Sequence, residues 1–370
     1  MPPIEPPLRP LTDVPLAPMS TLGVGGAARW FLRATSVDVV TSANACAAEH
    51  GVPLFILGGG SNLVVADNGL DGLVMQIAMT GIESSSAGGE QLVTAAAGES
   101  WDDLVAYVVQ RGLAGVECLS GIPGTVGGTP IQNVGAYGQE VSHVIDHVTV
   151  FDRQELTTIR LVAADCAFNY RMSRFKRDDA ARFIVCAVTF RLHAGPPTLA
   201  YPDVIEQLAR DGVTAPTVRD ARNVVLKIRR RKGMVLDTGD PDTHSVGSFF
   251  MNPVVPAAMA DRIVSRHGDG MPCYAMSNGG VKIPAAWLIE RSGFTRGHAD
   301  GAVGLSTKHT LAIVNRGQAT ARDVVRFAGH IKRAVLDRFG ISLCPEPVFV
   351  GFSDEPDVAF LMNHKEHQHK

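Results

Sequence analysis

No apolar run in the sequence approaches the roughly 20 residues needed to cross a bilayer. The opening MPPIEPPLRPLTDVPLAP lacks a basic stretch followed by an apolar one, so it is not expected to be a signal peptide. Its repeated prolines suggest an extended leader on the surface. No C-x-x-C pair occurs, and Cys46, Cys118, Cys166, Cys186, Cys273 and Cys344 stand far apart. They read as buried or free thiols of a reducing compartment, without chemistry, and no metal site is expected. The closing HKEHQHK, despite its histidines, reads as a solvated terminus. There is no strong charge of either sign: net charge is −3 and the sequence pI about 6.5, which argues against a dedicated nucleic-acid binder. No internal repeat is visible.

The chain is long, at 370 residues, and should form two or three domains. Its 45% hydrophobic and 19% charged content is that of a folded protein. It is rich in glycine, with 38, clustered in loops where the backbone must turn sharply or pass close to something.

Ser36 to His50 predicts a helix, N-capped by Ser36 and closed by Gly51. The strand VPLFIL then leads to Gly58-Gly59-Gly60-Ser61-Asn62. A dinucleotide-binding Rossmann unit needs its glycine loop to open a helix. Here LVVADNGLDGLVMQI follows, reading as strand, turn and strand, so a Rossmann unit is disfavoured. A strand near Leu92 to Ala97 leads to a helix starting at Ser100-Trp101-Asp102-Asp103 and ending at Gly112. HVTVFD, TTIRLVA and FIVCAVTFRLH predict strands of a sheet with one solvated face. Gly195-Pro196-Pro197 suggests a boundary, and from about Tyr201 the pattern turns helical. Thr217 caps a helix running to Gly233 with Asp220 at its third position; Pro284 to Arg291 and Thr320 to Phe339 follow, with the short strands AVGLS and TLAIVN between them. The fold class is α+β.

Ordering two glycine-dense loops costs conformational entropy, and such loops serve where backbone N–H groups must meet an anion. GGGSN alone is equally compatible with a tight turn. The second loop, GIPGTVGG followed by IQNVGAYG, adds Gln132, Asn133 and Tyr137, suited to edge contacts and stacking on a flat heterocycle. Arg171, in NYRMSRFK, has the fork to hold a carboxylate, though alone it reads as an exposed arginine. In SVGSFFMNP, Gly247 bares the backbone beside Ser248 while two phenylalanines supply an apolar wall; a hydroxyl there can protonate a carbanion, or the segment is a turn with a buried aromatic pair. The surroundings do not match a G-x-S-x-G elbow. Lys227 to Lys232 place cations at a helix end, by default a solvated arrangement, with the alternative that one or two of them meet a diphosphate. Glu346 is flanked by Pro345 and Pro347, which fix its backbone.

Taken together, from about Leu16 to Gly351, these segments resemble the UDP-N-acetylenolpyruvoylglucosamine reductase (UDP-N-acetylmuramate dehydrogenase) family, with GSFFxNP, the upstream YRxS and the late Pro-Glu before a strand as its specific features. The resemblance implies a two-lobed FAD-binding region of the vanillyl-alcohol-oxidase type and a C-terminal α+β substrate-binding domain. The expected limits are a leader at 1–19, the FAD region at 20–197 with lobes 20–80 and 81–197, the C-terminal domain at 198–352 and a tail at 353–370. It implies non-covalent FAD, bound through Gly58, Gly59, Gly60, Ser61, Asn62, Gly121, Pro123, Gly124, Gly127, Gly128, Gln132, Asn133, Gly135, Ala136 and Tyr137. It implies catalysis by Arg171, Ser248 and Glu346, and substrate contacts by Tyr201, Lys232, Asn252 and Lys282. NADPH is the implied co-substrate, a nucleotide-sugar the substrate, peptidoglycan precursor synthesis the process and the cytoplasm the place. The family often has L-E-P-E-V where this chain has Leu343-Cys344-Pro345-Glu346-Pro347, which bears on the pose of Glu346.

Two other readings compete. A flavin oxidase of the same cofactor fold has no need of SVGSFFMNP and the Pro-Glu pair, and a covalent one would bring a histidine or cysteine to a glycine loop, where neither loop has one. A non-catalytic flavin or nucleotide-sugar binder would have no need of Arg171, Ser248 and Glu346 together. Neither nucleic acid nor a membrane is expected as a partner; the oligomeric state is left open, a monomer being compatible with the sequence.

Overall fold

The computed structural model describes residues 8–268, 270–276, 279–353 and 355–363. The chain forms two compact units: Met1–Val14, Ala28–Gly60 and Asp71–Val235 in the first, Pro15–Ala27, Ser61–Leu70 and Leu236–Lys370 in the second.

The first unit is built on two sheets. One runs in the order Leu11–Pro15, Ala27–Ala34, Leu70–Ile77, Leu54–Leu57, the last two strands parallel. The other is antiparallel, in the order Thr157–Val162, Ile145–Asp152, Phe183–Ala194, Glu90–Ala96, Ile82–Ala87. A common core joins them, with Met75 from one sheet and Val93, Val148 and Val188 from the other all buried. The expected single solvated face does not hold for Phe183–Ala194. Ile184, Val185 and Cys186 are consecutive and buried, as are Val188, Thr189 and Phe190, so this central strand is covered on both sides.

Helices α1 (Val37–Glu49) and α2 (Trp101–Gln110) belong to this unit, each capped by a serine that accepts from the N–H three residues on. α3 (Pro202–Arg210) and α4 (Val218–Arg231) also belong to it, because Val204, Leu208, Val224, Val225 and Ile228 pack around Cys118. The compact unit therefore extends to Val235, beyond Gly195-Pro196-Pro197. The leader contributes the exposed strand Leu11–Pro15.

The second unit has an antiparallel sheet in the order Ser245–Ser248, Ala312–Asn315, Val303–Leu305, Ala299–Asp300. A small sheet of Val254–Pro256, Gly280–Lys282 and Tyr274–Ala275 and the parallel pair Leu63–Val65 with Val348–Val350 complete its strands. Around them lie α5 (Ala257–His267), α6 (Ala285–Arg291), α7 (Ala321–Phe339) and α8 (Pro356–Met362). The stripe Val324, Ala328, Ile331 and Val335 of α7 is fully buried, and Gly340 ends the helix at φ +69°. α7 also buries Lys332, 1% exposed, whose ammonium donates to the carbonyls of Leu361 and Asn363 at the end of α8. α8 thus occupies part of the expected tail, while HKEHQHK lies outside the described residues.

All six cysteines are free. Burial pushes the thiols of Cys118 and Cys166 up to about 12 and that of Cys186 to about 11, which suits inert packing groups. Among the described residues no helix is long and apolar enough to cross a membrane.

Thr217 and Thr320 each head a complete capping box, with Asp220 and Asp323 returning the bond. Thr217→Ala or Thr320→Ala should each cost about 1 kcal/mol in chemical denaturation, with Thr→Ser restoring most of it. An unchanged midpoint for the alanine variants would mean that tertiary packing alone sets these helix starts.

Candidate active site

In the first unit the strand Leu54–Leu57 ends on Gly58, Gly59 and Gly60. A Cβ on Gly59 would lie 2.7 Å from the Cα of Gly124, and one on Gly58 would lie 3.2 Å from Thr125 Oγ1. The two glycine-rich loops therefore meet backbone to backbone. The second loop hangs from the segment leading into α2. Trp101 N–H donates to Gly124 O (3.1 Å), Val126 N–H to Glu99 O (2.9 Å) and Gly127 N–H to Ala97 O (2.8 Å). Gly127 must be glycine for a packing reason, since its Cβ would fall 2.6 Å from that of Ala97, whereas Gly128 faces open space. Among the described residues no protein group takes the N–H of Gly124 or Thr125. Close-packed glycine backbone with amide donors left over fits the diphosphate of FAD. The Gly121 N–H is taken by the Asp102 carboxylate at 2.6 Å, which shapes the start of this loop.

The segment from Gln132 to Tyr137 is stitched to the turn carrying Arg171. Asn169 and Met172 exchange backbone hydrogen bonds across that turn. Ser173 Oγ donates to Ile131 O (2.5 Å), and the Arg171 guanidinium donates to Gly135 O (2.6 Å) and Asn133 O (3.4 Å). Asn133, expected to contact a heterocycle edge, is 1% exposed and committed elsewhere. Its amide nitrogen donates to Glu140 and to Asn169 O, and its oxygen accepts from Ser142 N–H. It orders the loop from within. Pro123, Gln132, Ala136 and Tyr137 stay half-buried. Asn133, Tyr137 and Arg171 have φ of +45°, +50° and +53°, a left-handed backbone that costs side-chain-bearing residues of their kind on the order of 1 kcal/mol or more.

Tyr137 packs edge-on against Tyr201, ring centroids 5.3 Å apart. Tyr201 precedes α3, whose Asp203 pairs at 3.4 Å with Lys232, the residue that follows α4. Both predicted substrate residues of this unit thus lie beside Tyr137 or the helix pair it abuts. The cationic end of α4 is not uniformly solvated. Lys227, Arg230 and Arg231 are exposed, but Arg229 is 8% exposed, because it follows Val225 by one turn on the buried face. It donates to Met234 O (2.7 Å) and interacts electrostatically with Tyr137, while its Nε has no partner among the described residues. Burial pushes Arg229 below the ordinary arginine value, against the pull of Tyr137 and Asp102. Burial likewise pushes the Tyr137 phenol up, with Arg229 opposing. Asp102 and Arg222 were not singled out as site residues in the sequence; Arg229 figured there only as one of the cations of the Lys227–Lys232 run.

In the second unit, Ser248 ends a strand and Gly247 (φ +74°) leaves open space beside it. Next along the chain, Phe249 N–H donates to Leu311 O (2.8 Å) while Phe249 O accepts from Glu346 N–H (2.9 Å). Met251 N–H donates to Cys344 O (2.9 Å), and Phe250 pairs with Pro345. Ser248 and Glu346 are therefore carried by neighbouring extended segments. Ser61 and Asn62 open this unit's first strand pair: Val348 N–H donates to Asn62 O (3.0 Å) and the Asn62 amide reaches Glu346 O (3.4 Å). Asn62 and Glu346 are thus joined directly, and Ser248 is the chain neighbour of the Phe249 whose carbonyl takes the Glu346 N–H. Asn252 accepts from Ala285 N–H (2.9 Å) and so also holds the start of α6. Lys282 is paired across strands with Tyr274, its ammonium 5.9 Å from the ring centre; Tyr274, 56% exposed, had no signal in the sequence.

Residues 28–159 match the family profile of an FAD binding domain, and residues 240–350 that of the UDP-N-acetylenolpyruvoylglucosamine reductase C-terminal domain. The chain is 45% identical over 354 residues to a UDP-N-acetylenolpyruvoylglucosamine reductase of Streptomyces coelicolor, covering 93% of this chain and 91% of that one. It is 46% identical over 351 residues to one of Thermobifida fusca, covering 92% and 97%. The crystal structure of UDP-N-acetylenolpyruvylglucosamine reductase from Thermus caldophilus superposes with a TM-score of 0.62 over 92% of this chain and 99% of that one, at 24% identity, a likeness of fold.

If the left-handed backbone at Arg171 is strained, Arg171→Gly should be more stable than Arg171→Ala by about 1 kcal/mol, since both lose the guanidinium but glycine adopts φ +53° freely. Equal denaturation midpoints for the two variants would remove strain from the account.

Proposed function

The chain belongs to the UDP-N-acetylenolpyruvoylglucosamine reductase family, and from that premise we propose that it reduces UDP-N-acetylglucosamine enolpyruvate to UDP-N-acetylmuramate, with non-covalent FAD as cofactor and NADPH as co-substrate, in peptidoglycan precursor synthesis. The observation that supports the residue assignment is the backbone bonding between the segments that carry Asn62, Ser248 and Glu346. The cytoplasm, where nucleotide-linked precursors are made, is the proposed location.

When bound, FAD supplies the hydride relay, from NADPH to the terminal carbon of the enolpyruvyl group. The two glycine loops would hold its diphosphate through backbone amides, with Ser61 and Asn62 as further donors, and Tyr137 would serve the flavin. Arg171, held beside the Gln132–Tyr137 segment, receives the substrate carboxylate, which a guanidinium grips through two parallel N–H groups. As hydride arrives, negative charge builds on the adjacent carbon and the carboxylate. Arg171 stabilises that charge directly, and Glu346 does so as a protonated carboxyl that donates a hydrogen bond or by acting through Arg171. Ser248 gives its hydroxyl proton to the carbon, and the buried Phe249 and Phe250 beside it limit access of water. Tyr201 closes over the nucleotide-sugar against Tyr137, and Lys232, Asn252 and Lys282 contact the rest of the substrate.

The two half-reactions separate the roles. With oxygen excluded, Ser248→Ala should still allow NADPH to bleach the flavin absorbance, while reoxidation by the enolpyruvyl substrate falls on the order of 10²–10³-fold, the usual cost of one such group. Equal loss of both half-reactions would remove Ser248 from the proton-transfer step. A wild-type flavin that stays reduced with substrate and reoxidises only in air would overturn the reductase reading.

A further inference from the structure

We infer that Asp102, clamped by Arg222, is a positioning residue for the cofactor: it draws the Gly121 N–H inward and so presents the Gly124 and Thr125 N–H groups to the FAD diphosphate. This rests on the reading of the two glycine loops as the diphosphate site.

Asp102 lies in the first turn of α2. Its Oδ1 accepts from Gly121 N–H and from Arg222, each at 2.6 Å, and its Oδ2 accepts from the second arm of Arg222 at 2.9 Å. Capping is not its task, because Ser100 already receives the Asp103 N–H. Arg222 comes from α4, so one carboxylate joins α2, α4 and the first residue of the loop. The loop's other ties to this segment are main-chain bonds from Ala97, Glu99 and Trp101 and the Trp101 indole, which donates to Leu119 O at 3.0 Å. Gly121 is fixed from its other side as well. Its φ is +71°, and a Cβ there would meet Leu226 at 2.8 Å and Val235 at 3.1 Å.

A carboxylate behind a diphosphate site would repel the ligand if it stood alone. It faces two guanidinium groups, Arg222 and the buried Arg229, whose Nε lies 3.5 Å from where a Gly121 Cβ would be. The cluster therefore carries one net positive charge behind the loop. Burial pushes the Asp102 carboxyl up, but the Arg222 fork and the Gly121 N–H outweigh it and hold it below its ordinary value, so it stays ionised. Without the carboxylate, two like charges would be left beside Gly121 and the turn would lose its anchor. The cofactor would then have to order the loop at the expense of its own affinity.

The test uses the purified holoenzyme, then the same protein stripped of flavin and titrated with FAD by fluorescence quenching. Asp102→Asn leaves an acceptor for Gly121 but turns an amide donor toward Arg222; Arg222→Met keeps the stem and removes the fork. Each should weaken FAD binding roughly ten- to a hundredfold, the loss expected for a charge-assisted hydrogen bond. The double variant should be no weaker than the worse single one, since either change breaks the same clamp. The unfolding temperature of the flavin-free protein should fall less than that of the FAD-bound protein. Unchanged FAD affinity in both variants, or equal falls of the two unfolding temperatures, would make the cluster a purely structural tie and overturn the inference. If Asp102→Asn fails to fold, Arg222→Met carries the same expectations. Wild-type protein that does not bind FAD at all would overturn the loop reading itself, and this inference with it.

Discussion

At Gly59 and Gly124 two loops come so close that a single Cβ would stand 2.7 Å from a backbone carbon. That approach is available only to glycine, and the arrangement of the first unit around the proposed cofactor site follows from it. Gly124 is held in turn by Trp101 N–H, and Trp101 opens α2, is fully buried and anchors Leu119 through its indole. The loop is thus an extension of the core. Backbone bonds hold several of its carbonyls and amides, and the N–H groups of Gly124 and Thr125 have no protein acceptor among the described residues.

The backbone expense is concentrated in the same unit. Of the six non-glycine residues with positive φ among the described residues, three are Asn133, Tyr137 and Arg171. Their strain persists because Ile131, Asn133, Gly135 and Asn169 are cross-linked by side-chain bonds from Ser173, Arg171 and Asn133 itself. Such conformations survive where the surroundings over-determine them, and they gather at functional positions. Asn133 illustrates the division of labour: a residue suited to touching a ligand is used instead to hold the residues that would.

Local signals were legible. Ser36, Thr217, Thr320 and Gly340 mark helix ends by bonds made within a few residues, and each helix begins or stops where those residues imply. The glycine loop entering a strand rather than a helix was likewise readable, and with it the non-Rossmann fold. The polar strand Ile82–Ala87 was not, because IESSSA lacks an apolar alternation and owes its form to pairing with Glu90–Ala96. Nor were the roles of Asp102 and Arg229. Gly121 lies 19 residues from Asp102, Arg222 lies 120 away, and the burial of Arg229 depends on how α4 packs. The proximity of Ser248 and Glu346 came into the sequence reading only through resemblance; pairing between segments so far apart has no local signature.

Pro345 and Pro347 have a consequence beyond fixing a carboxyl. Proline has no N–H, so between Cys344 and Val348 the chain owns one exchangeable amide proton, that of Glu346, and it is given to Phe249 O. The attachment of this segment to the GSFF strand at that point is recorded by a single hydrogen. In deuterated solvent that hydrogen would act as a clock for the site, timing local opening of that attachment without any substrate or flavin signal.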